Sequence, residues 1–329
     1  MNHRRTFAQT RLVAAFAFLG CSTAIAADYP DRNITLVVPF APGGTTDIVA
    51  RLVAEHMGKT LGRSLIVEND AGAGGTVASR RVAQAPADGY TLMIGTLGTH
   101  GAGPSQYPNL KYDPRRDFTP IGQTSGMPFV LVTRKDFPTN NLKEFVEYVQ
   151  RNQDKVSEAH AGVGSEIHAA CTLLQSIIGT KTARVAYRGG APAINDVVAG
   201  QVDFACTVLA TVAPQVLAGN VKALAVTSRE RVDVLKDIPT TTEAGLPAFQ
   251  ATTWTAMFGP KDLPEVIQSK LIDALTKALD DPATRKRLTD LGGQIPDSAH
   301  RTPQALQSLV ESEVARWAPV LKPQEAPAK

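Results

Sequence analysis

The 329-residue sequence is poor in cysteine, in aromatic residues and in long apolar runs. Its three cysteines are too few for a disulfide-rich scaffold or a cysteine-based zinc cluster. After residue 26, no stretch approaches the roughly 18 to 20 apolar residues that a transmembrane helix requires. A nucleotide-binding fingerprint is also missing, because Val53 and Val77 stand where the glycine motifs at 58–60 and 72–75 would need a further glycine. We therefore expect a protein that is soluble once processed and binds no nucleotide cofactor.

The N-terminal 26 residues have the pattern of a secretory signal peptide. They carry Arg4, Arg5 and Arg11, then an apolar stretch at 12–19 and an Ala-Ile-Ala cleavage site that ends at Ala26. The paired arginines leave both the general and the twin-arginine export routes open. We expect cleavage near Ala26 and a mature protein in the periplasm.

The sequence also has little excess of either charge once the N-terminal segment is removed. Cleavage after Ala26 removes three of the 34 basic residues and none of the 31 acidic ones, which leaves 31 of each and a net charge near zero. No basic stripe with interleaved aromatic residues remains, so a nucleic-acid partner is not expected. Cys171 and Cys206 remain after cleavage, and they fit either a disulfide or two small buried apolar side chains.

What the sequence does contain is a repeated alternation of apolar, β-branched strands with amphipathic helices. Strand patterns occur at 33–40, 65–68, 91–95, 129–133, 183–187 and 202–207, and the region from 264 onward is helical. This alternation is typical of parallel sheets flanked by helices. We predict an α/β protein with two lobes, with the chain crossing between them near 125 and 228 and a ligand cleft where the strand ends meet. The lobes would comprise residues 27–125 with 228–329, and residues 126–227.

A glycine loop follows the first predicted strand. Gly43 and Gly44 precede a helix whose first turn contains Thr45, Thr46 and Asp47. Unpaired backbone N–H groups at a helix N-terminus bind carboxylate, sulfate or phosphate without a cationic side chain. The same residues also fit an ordinary capped turn, in which a threonine caps the helix and Asp47 complements its dipole. Spacing alone does not distinguish these two roles.

A second glycine loop offers a similar site. Gly164 and Ser165 precede a predicted helix at 166–178, with His168 in its first turn. Ser165 and His168 also define the alternative function, an exported hydrolase, but the G-x-S-x-G elbow of such enzymes is absent. His168 and Cys171 are spaced like metal ligands but belong to no larger cluster, so no metal is expected.

Four further residues are candidate ligand contacts. Arg188 precedes another predicted helix and can clamp a carboxylate, although an exposed turn arginine is the commoner role. Asp203 opens a strand and is expected to fix loops or a bridging water. Thr96 and Trp254 belong to the segments 96–105 and 252–260, which we expect to be extended interlobe linkers that line the cleft; a large aromatic such as Trp254 also suits the core.

Several motifs follow one another along the chain: Leu-Val-Val-Pro-Phe-Ala-Pro-Gly-Gly-Thr-Thr-Asp at 36–47, Asp-Gly-Tyr at 88–90, Gly-Ser at 164–165 with His168, Tyr-Arg-Gly at 187–189 and Gly-Gln-Val-Asp at 200–203. Taken in this order, they resemble the tripartite tricarboxylate transporter solute-receptor family, also called Bug receptors. The resemblance extends over essentially the whole chain after residue 26. It implies a type II periplasmic binding-protein fold, known as a Venus flytrap, and a small carboxylate or a related aromatic or amide ligand.

The resemblance also implies site residues and partners. Backbone groups and ordered water in two loops hold a ligand carboxylate in this family, and the matching residues here are Phe40, Gly43, Gly44, Thr45, Thr46, Asp47, Gly164, Ser165 and His168. Asp203 matches a late aspartate of the family. Pro42 and Thr45 replace the alanine and glycine that are common there, so the loop is expected to differ in shape. The expected protein is a monomeric receptor without enzymatic activity, serving a membrane permease or a signalling partner.

Overall fold

The described part of the chain comprises residues 29–107 and 109–321 of a computed structural model. The predicted signal peptide and its cleavage site lie outside these residues. Within them, no helix is both long enough and apolar enough to cross a lipid bilayer.

One sheet forms the core of the first lobe. Its strands follow the order β2 (Leu65–Asn69), β1 (Ile34–Val38), β3 (Thr91–Thr96), β9 (Thr252–Pro260) and the first part of β4 (Phe118–Arg134). Both neighbours of β1 are parallel to it, whereas β9 is antiparallel to β3 and β4. The helices associated with this sheet are α1 (Thr45–Leu61), α2 (Thr76–Ala83), α8 (Glu265–Asp280), α9 (Pro282–Asp290) and α10 (Pro303–Trp317). The apolar residues of β1 are fully buried, as the sequence pattern predicts.

A second sheet forms the core of the other lobe. It contains β8 (Val221–Val226), the last part of β4, β7 (Phe204–Val208), β5 (Ser157–His160) and β6 (Ala183–Ala186). The helices of this lobe are α4 (Leu142–Asn152), α5 (Glu166–Ile178), α6 (Gly190–Val198) and α7 (Leu209–Leu217). Because α5, α6 and α7 each follow a strand, their N-termini lie at the strand ends that border the cleft.

Strand β4 belongs to both sheets. Its residues from Phe118 to Pro128 pair with β9, and those from Phe129 to Arg134 pair with β7 and β8. The chain returns to the first sheet between β8 and β9. The two lobes are thus joined by one continuous strand and one returning segment.

The segment at 96–105 does not have the predicted extended conformation. Gly98–Ala102 forms a π-helical turn, and Gly103–Gln106 forms the short helix α3 with Pro104 in its first turn. The prediction was wrong because three glycines hide any helical pattern in this segment, whereas proline suits the first turn of a helix. We call residues 98–107 the arm. The segment at 252–260 is extended as predicted, as strand β9 of the sheet.

Cys171 and Cys206 form a disulfide between α5 and β7, with Cα atoms 5.3 Å apart. Both residues are completely buried. Of the two roles that the sequence left open, the structure contains the disulfide, which ties a cleft-facing helix to the central strands of its lobe.

Candidate functional site

The loop after β1 is shaped by Asp47. The Asp47 carboxylate accepts hydrogen bonds from the backbone N–H of Gly43 at 3.0 Å, from Arg51 at 3.1 Å and from Asn69 at 3.0 Å. Burial opposes ionisation of this carboxyl, but the hydrogen bonds from Arg51, Gly43 and Asn69 hold the pKa of Asp47 below its ordinary value. Gly43 has a φ of +84°, which favours glycine. Asp47 thus fixes the conformation of the glycine loop through its hydrogen bond with Gly43.

Two helix N-termini face each other across the cleft. Gly44 is the N-cap of α1, and Gly189 is the N-cap of α6 in the other lobe. A methyl group added to Gly44 would lie 4.0 Å from the backbone nitrogens of Gly190 and Ala191. The first N–H groups of a helix have no intrahelical partners and carry its positive partial charge. The space beside Gly44 is therefore suited to an anion held from both lobes.

The predicted residues around this space are assembled by contacts between the lobes. The backbone N–H of Ala41 donates to the carbonyl oxygen of Arg188 at 3.0 Å. Phe40 is buried, and its side chain lies close to Gly189 and Gly75. Arg188 contributes its backbone here, while its side chain is exposed. This exposure fits the turn role, and a clamp on a ligand carboxylate stays a prediction.

Thr211 is a site residue that the sequence analysis missed. The backbone N–H of Thr45 donates to the Thr211 hydroxyl at 3.1 Å, and the two hydroxyl oxygens are 2.7 Å apart. Thr46 is buried in the same turn of α1. The position of Thr211 in the sequence could have indicated this role, because this residue lies in the first turn of α7, directly after β7.

At the N-terminus of α5, the structure places an acidic side chain. Ser165 caps this helix by accepting a hydrogen bond from the backbone N–H of His168 at 3.2 Å. The next residue, Glu166, is buried and accepts a hydrogen bond from the hydroxyl of Thr96 in the other lobe at 3.3 Å. Burial raises the pKa of Glu166 to about 7. The sequence places Glu166 in the first turn of this predicted anion site, but it did not predict that the carboxyl is buried against the other lobe.

His168 links the lobes through its ring. Its Nε2 is 3.0 Å from Arg184, and its Nδ1 is 2.8 Å from the side-chain amide of Gln106 in the arm. Burial, together with His160 and Arg184, lowers the pKa of His168 to about 3, so the ring is neutral. Since a guanidinium only donates, Nε2 accepts and Nδ1 carries the hydrogen. The partner at Nδ1 is then the carbonyl oxygen of Gln106, an orientation that also gives this otherwise unpartnered buried oxygen a hydrogen bond.

This geometry does not support a Ser165–His168 catalytic pair. The Ser165 hydroxyl is engaged in capping α5, and both ring nitrogens of His168 contact other residues. A general base must reach the proton that it removes, and the ring has no free nitrogen for Ser165. In residues 29–107 and 109–321, no group of three His, Cys, Asp or Glu residues is arranged to hold a metal ion.

Two predicted residues lie apart from the facing helix N-termini. Asp203 lies immediately before β7, at the end of this strand that is remote from α7. Its carboxylate accepts hydrogen bonds from Arg134 at 2.9 Å and from the backbone N–H of Ser157 at 2.8 Å. Trp254 is buried on β9 opposite Gly126, and its ring lies against Gly101 of the arm. Asp203 therefore stabilises the second lobe internally, and Trp254 packs behind the arm.

The lobes also meet through close backbone contacts. A methyl group on Gly74 would lie only 1.8 Å from the carbonyl oxygen of Val163, and one on Gly164 would lie 2.3 Å from the ring of Tyr107. The hydroxyl of Tyr107 donates to the carbonyl oxygen of Val163. The glycines at 74 and 164 thus allow the lobes to approach closely, and the structure has them closed on each other.

Comparison with known proteins identifies relatives over nearly the whole chain. Residues 49–325 match the family described as "Tripartite tricarboxylate transporter family receptor". A UPF0065 protein of Agrobacterium vitis is 40% identical over 293 residues, which cover 89% of this chain and 84% of the relative.

Two solved structures are similar to this one. MatC of Rhodopseudomonas palustris with bound malate has a TM-score of 0.87 at 45% identity, covering 89% of this chain and all (100%) of MatC. The periplasmic binding protein BugD has a TM-score of 0.86 at 40% identity, covering 90% of this chain and 100% of BugD. These similarities confirm the predicted two-lobed periplasmic binding-protein fold with its cleft.

Proposed function

Because this chain belongs to the tripartite tricarboxylate transporter receptor family, we propose that it acts as a periplasmic receptor that closes its two lobes around a small carboxylate. The receptor would then deliver this ligand to membrane permease components. It would act as a monomer and without catalysis. The bending regions would be β4 and the returning segment between β8 and β9, close to the predicted lobe boundaries at 125–126 and 227–228.

The observation that carries this proposal is the pair of facing helix N-termini. The backbone nitrogens of Gly190 and Ala191 approach the space beside Gly44 from the opposite lobe. An anion in this space would receive N–H donors from both α1 and α6, and its charge would be stabilised by both helix dipoles. Such an anion would stabilise the closed form more than the open form, since only closure brings both sets of donors together.

The malate bound to MatC supports a small dicarboxylate as the first ligand to test. Two helix N-termini recognise one carboxylate, so the remainder of the ligand must be selected by other groups in the cleft. The periplasmic location of BugD supports the same location for this receptor.

Isothermal titration calorimetry tests the proposal directly. The protein is unfolded and refolded to remove any retained ligand, then titrated with malate, succinate, adipate and benzoate. At least one of these is expected to bind with a Kd of about 10 μM or tighter, which corresponds to roughly 7 kcal/mol. Absence of heat with every carboxylate in the panel would count against a carboxylate receptor.

Gly44→Val tests the location of the carboxylate. The added side chain would fill the space between α1 and α6, so affinity is expected to fall at least about 100-fold, or nearly 3 kcal/mol. Gly44→Ala is the graded control, because its methyl group lies at ordinary contact distances of 3.9 to 4.0 Å and the φ of −81° suits any residue. Unchanged affinity in the valine variant, with unchanged thermal unfolding, would place the carboxylate elsewhere.

A further inference from the structure

We propose that Glu166 selects the ligand by pairing its carboxylate with an ammonium group, so that the receptor prefers a carboxylate that also carries an amine. This proposal rests on the proposed function, since it assigns the binding of the ligand's ammonium group to the second end of the same cleft. The first end is the space beside Gly44 that is suited to an anion.

Glu166 has an unusual environment for an acidic residue. Only 5% of its surface is exposed, and its carboxyl meets the hydroxyl of Thr96 across the cleft. No salt bridge joins it to any residue of the described chain, whereas Glu158, buried in the same lobe, has Arg184 within 3.7 Å. Buried carboxylates are costly unless a cation or several hydrogen bonds compensate them. A ligand cation would supply the partner that the protein does not provide.

The surrounding backbone leaves room for this carboxyl. Gly98 of the arm packs directly against Glu166, and a methyl group there would come within 2.9 Å of Glu166 Oε2. A larger residue at 98 would displace the carboxyl. The glycine therefore permits an acid to lie between the arm and α5.

The two ends of the cleft are close enough for one small ligand. Thr96, the partner of Glu166, ends β3, and β3 lies beside β1, with Val37 opposite Met93. Beyond the end of β1, a methyl group on Gly75 would lie 3.5 Å from the ring of Phe40 and 2.7 Å from the side chain of Thr99, whose hydroxyl accepts a hydrogen bond from the Thr96 backbone N–H at 2.9 Å. Thr96, and with it the Glu166 carboxyl, thus lies near Phe40, which precedes the loop that contains Gly44. A ligand with a carboxylate and an ammonium separated by one to three carbons matches this arrangement.

The titratable groups of the adjoining elements do not supply the missing positive charge. His168, on the same helix, is directed to Gln106 and Arg184 and is neutral. In the arm, His100 is stacked on Phe258 and bonded to Thr99, and burial lowers the pKa of His100 to about 3. Neither histidine therefore neutralises the charge of the Glu166 carboxylate when the lobes close.

Two matched pairs of ligands test the selection. L-Aspartate and succinate differ by one ammonium group, as do 4-aminobutyrate and butyrate, and malate places a hydroxyl at the same carbon as the aspartate amine. In calorimetric titrations at pH 7, the amine-bearing member of at least one pair is expected to bind about 10-fold tighter or more, or roughly 1.4 kcal/mol. In Glu166→Gln, which keeps the size and the contact with Thr96, this preference is expected to disappear.

The control is Glu158→Gln, which removes another buried carboxyl from the same lobe. Glu158 contacts Arg184 and Gln175 and has no contact with Thr96, so its variant is expected to keep the preference for the amine. Thermal unfolding of both variants reports on folding. If neither amine-bearing ligand binds tighter than its partner, if malate binds tighter than L-aspartate, or if Glu166→Gln keeps the amine preference, the proposal is overturned while carboxylate binding itself stands. If none of the carboxylates binds, the proposed function fails with it.

The direction of proton transfer provides a second test. Because burial raises the pKa of Glu166 to about 7 in the closed form, this carboxyl is close to half protonated at pH 7 when the lobes close without a cation beside it. Pairing with an ammonium favours the ionised form, so L-aspartate is expected to bind with uptake of about half a proton fewer than succinate. Titrations in phosphate and in Tris, whose ionisation enthalpies differ, measure this difference. Equal or greater proton uptake with L-aspartate would mean that protonated Glu166 donates to a ligand oxygen, which contradicts the proposal.

Discussion

At the scale of single residues, the candidate site consists of backbone groups that are held in place by buried side chains. Asp47 holds Gly43, and Ser165 caps α5. The capping role of Ser165 was predicted, because serine before a helix commonly caps it. The role of Asp47 was not predicted: the capped-turn alternative gave the cap to a threonine, whereas the N-cap is Gly44 without a side-chain cap and Asp47 accepts from Gly43. The roles of Glu166 and Gln106 were not predictable, since each depends on a partner from the other lobe that is more than 60 positions away in the sequence.

His168 provides a pH prediction at this scale. Its pKa is lowered to about 3 in the folded protein, against 6.5 for an ordinary histidine. The unfolded chain therefore binds a proton below about pH 6.5 that the folded protein does not bind, and this residue destabilises the fold as pH falls from 6.5 toward 3. The contribution approaches about 1.4 kcal/mol per pH unit.

Urea unfolding of the wild type and His168→Gln across pH 5 to 8 measures this effect. The variant is expected to be the less stable protein at pH 8, because glutamine does not reproduce both ring contacts. Its deficit is expected to shrink below pH 6.5, since the variant lacks the buried histidine. His100 and His160 also have lowered pKa values and Glu158 and Glu166 raised ones, but these groups are common to both proteins and cancel in the difference. A deficit that stays constant with pH would contradict the assignment.

At the scale of elements, the cleft is built from helices that begin directly after strands. The sequence pattern predicted α1, α5 and α6 in this role, because glycines precede each of them. It did not predict α7, whose N-cap is Val208 and whose first turn carries Thr211. Strand β5 was missed as well, because its residues Ser157, Glu158, Ala159 and His160 lack the β-branched apolar pattern, and pairing with β6 and β7 overrides this weak preference.

The disulfide yields a prediction about these elements. It joins α5 to β7 across a sequence separation of 35 residues. In the chain-entropy account, closing a loop of this length stabilises the folded protein by about 3 to 4 kcal/mol, within the usual range of measured disulfides. The double variant Cys171→Ala with Cys206→Ala is expected to unfold at lower urea concentration by a comparable free energy. The control is the reduced wild type, which should resemble the variant, and equal midpoints for oxidised wild type and variant would contradict a stabilising disulfide.

At the scale of the whole molecule, the sequence predicted two lobes and a cleft because strand and helix patterns alternate twice. It could not predict that β4 is continuous between the lobes, since a strand that changes partners at Pro128 and Phe129 has no distinct sequence pattern. Nor could it predict the closed contacts, which join loops distant in the chain. The glycine cluster at 72–75, which failed as a nucleotide motif, serves this closure.

A substitution at Gly74 tests whether ligand binding requires the two lobes to close on each other. The φ of this glycine is +63°, and a methyl group there would lie 1.8 Å from the Val163 carbonyl oxygen of the other lobe. Gly74→Ala is therefore expected to hold the lobes apart and to weaken ligand binding by about 10-fold or more, or roughly 1.4 kcal/mol. Gly62→Ala is the matched control, because Gly62 has a similar φ of +69° but no atom within 4 Å of the added methyl group.

Both variants should lose about 1 kcal/mol of stability from the left-handed backbone, whereas only Gly74→Ala should lose affinity. Small-angle X-ray scattering with saturating ligand should show compaction of the wild type and of Gly62→Ala, and a compact Gly74→Ala of wild-type affinity would show that the lobes close without this backbone contact.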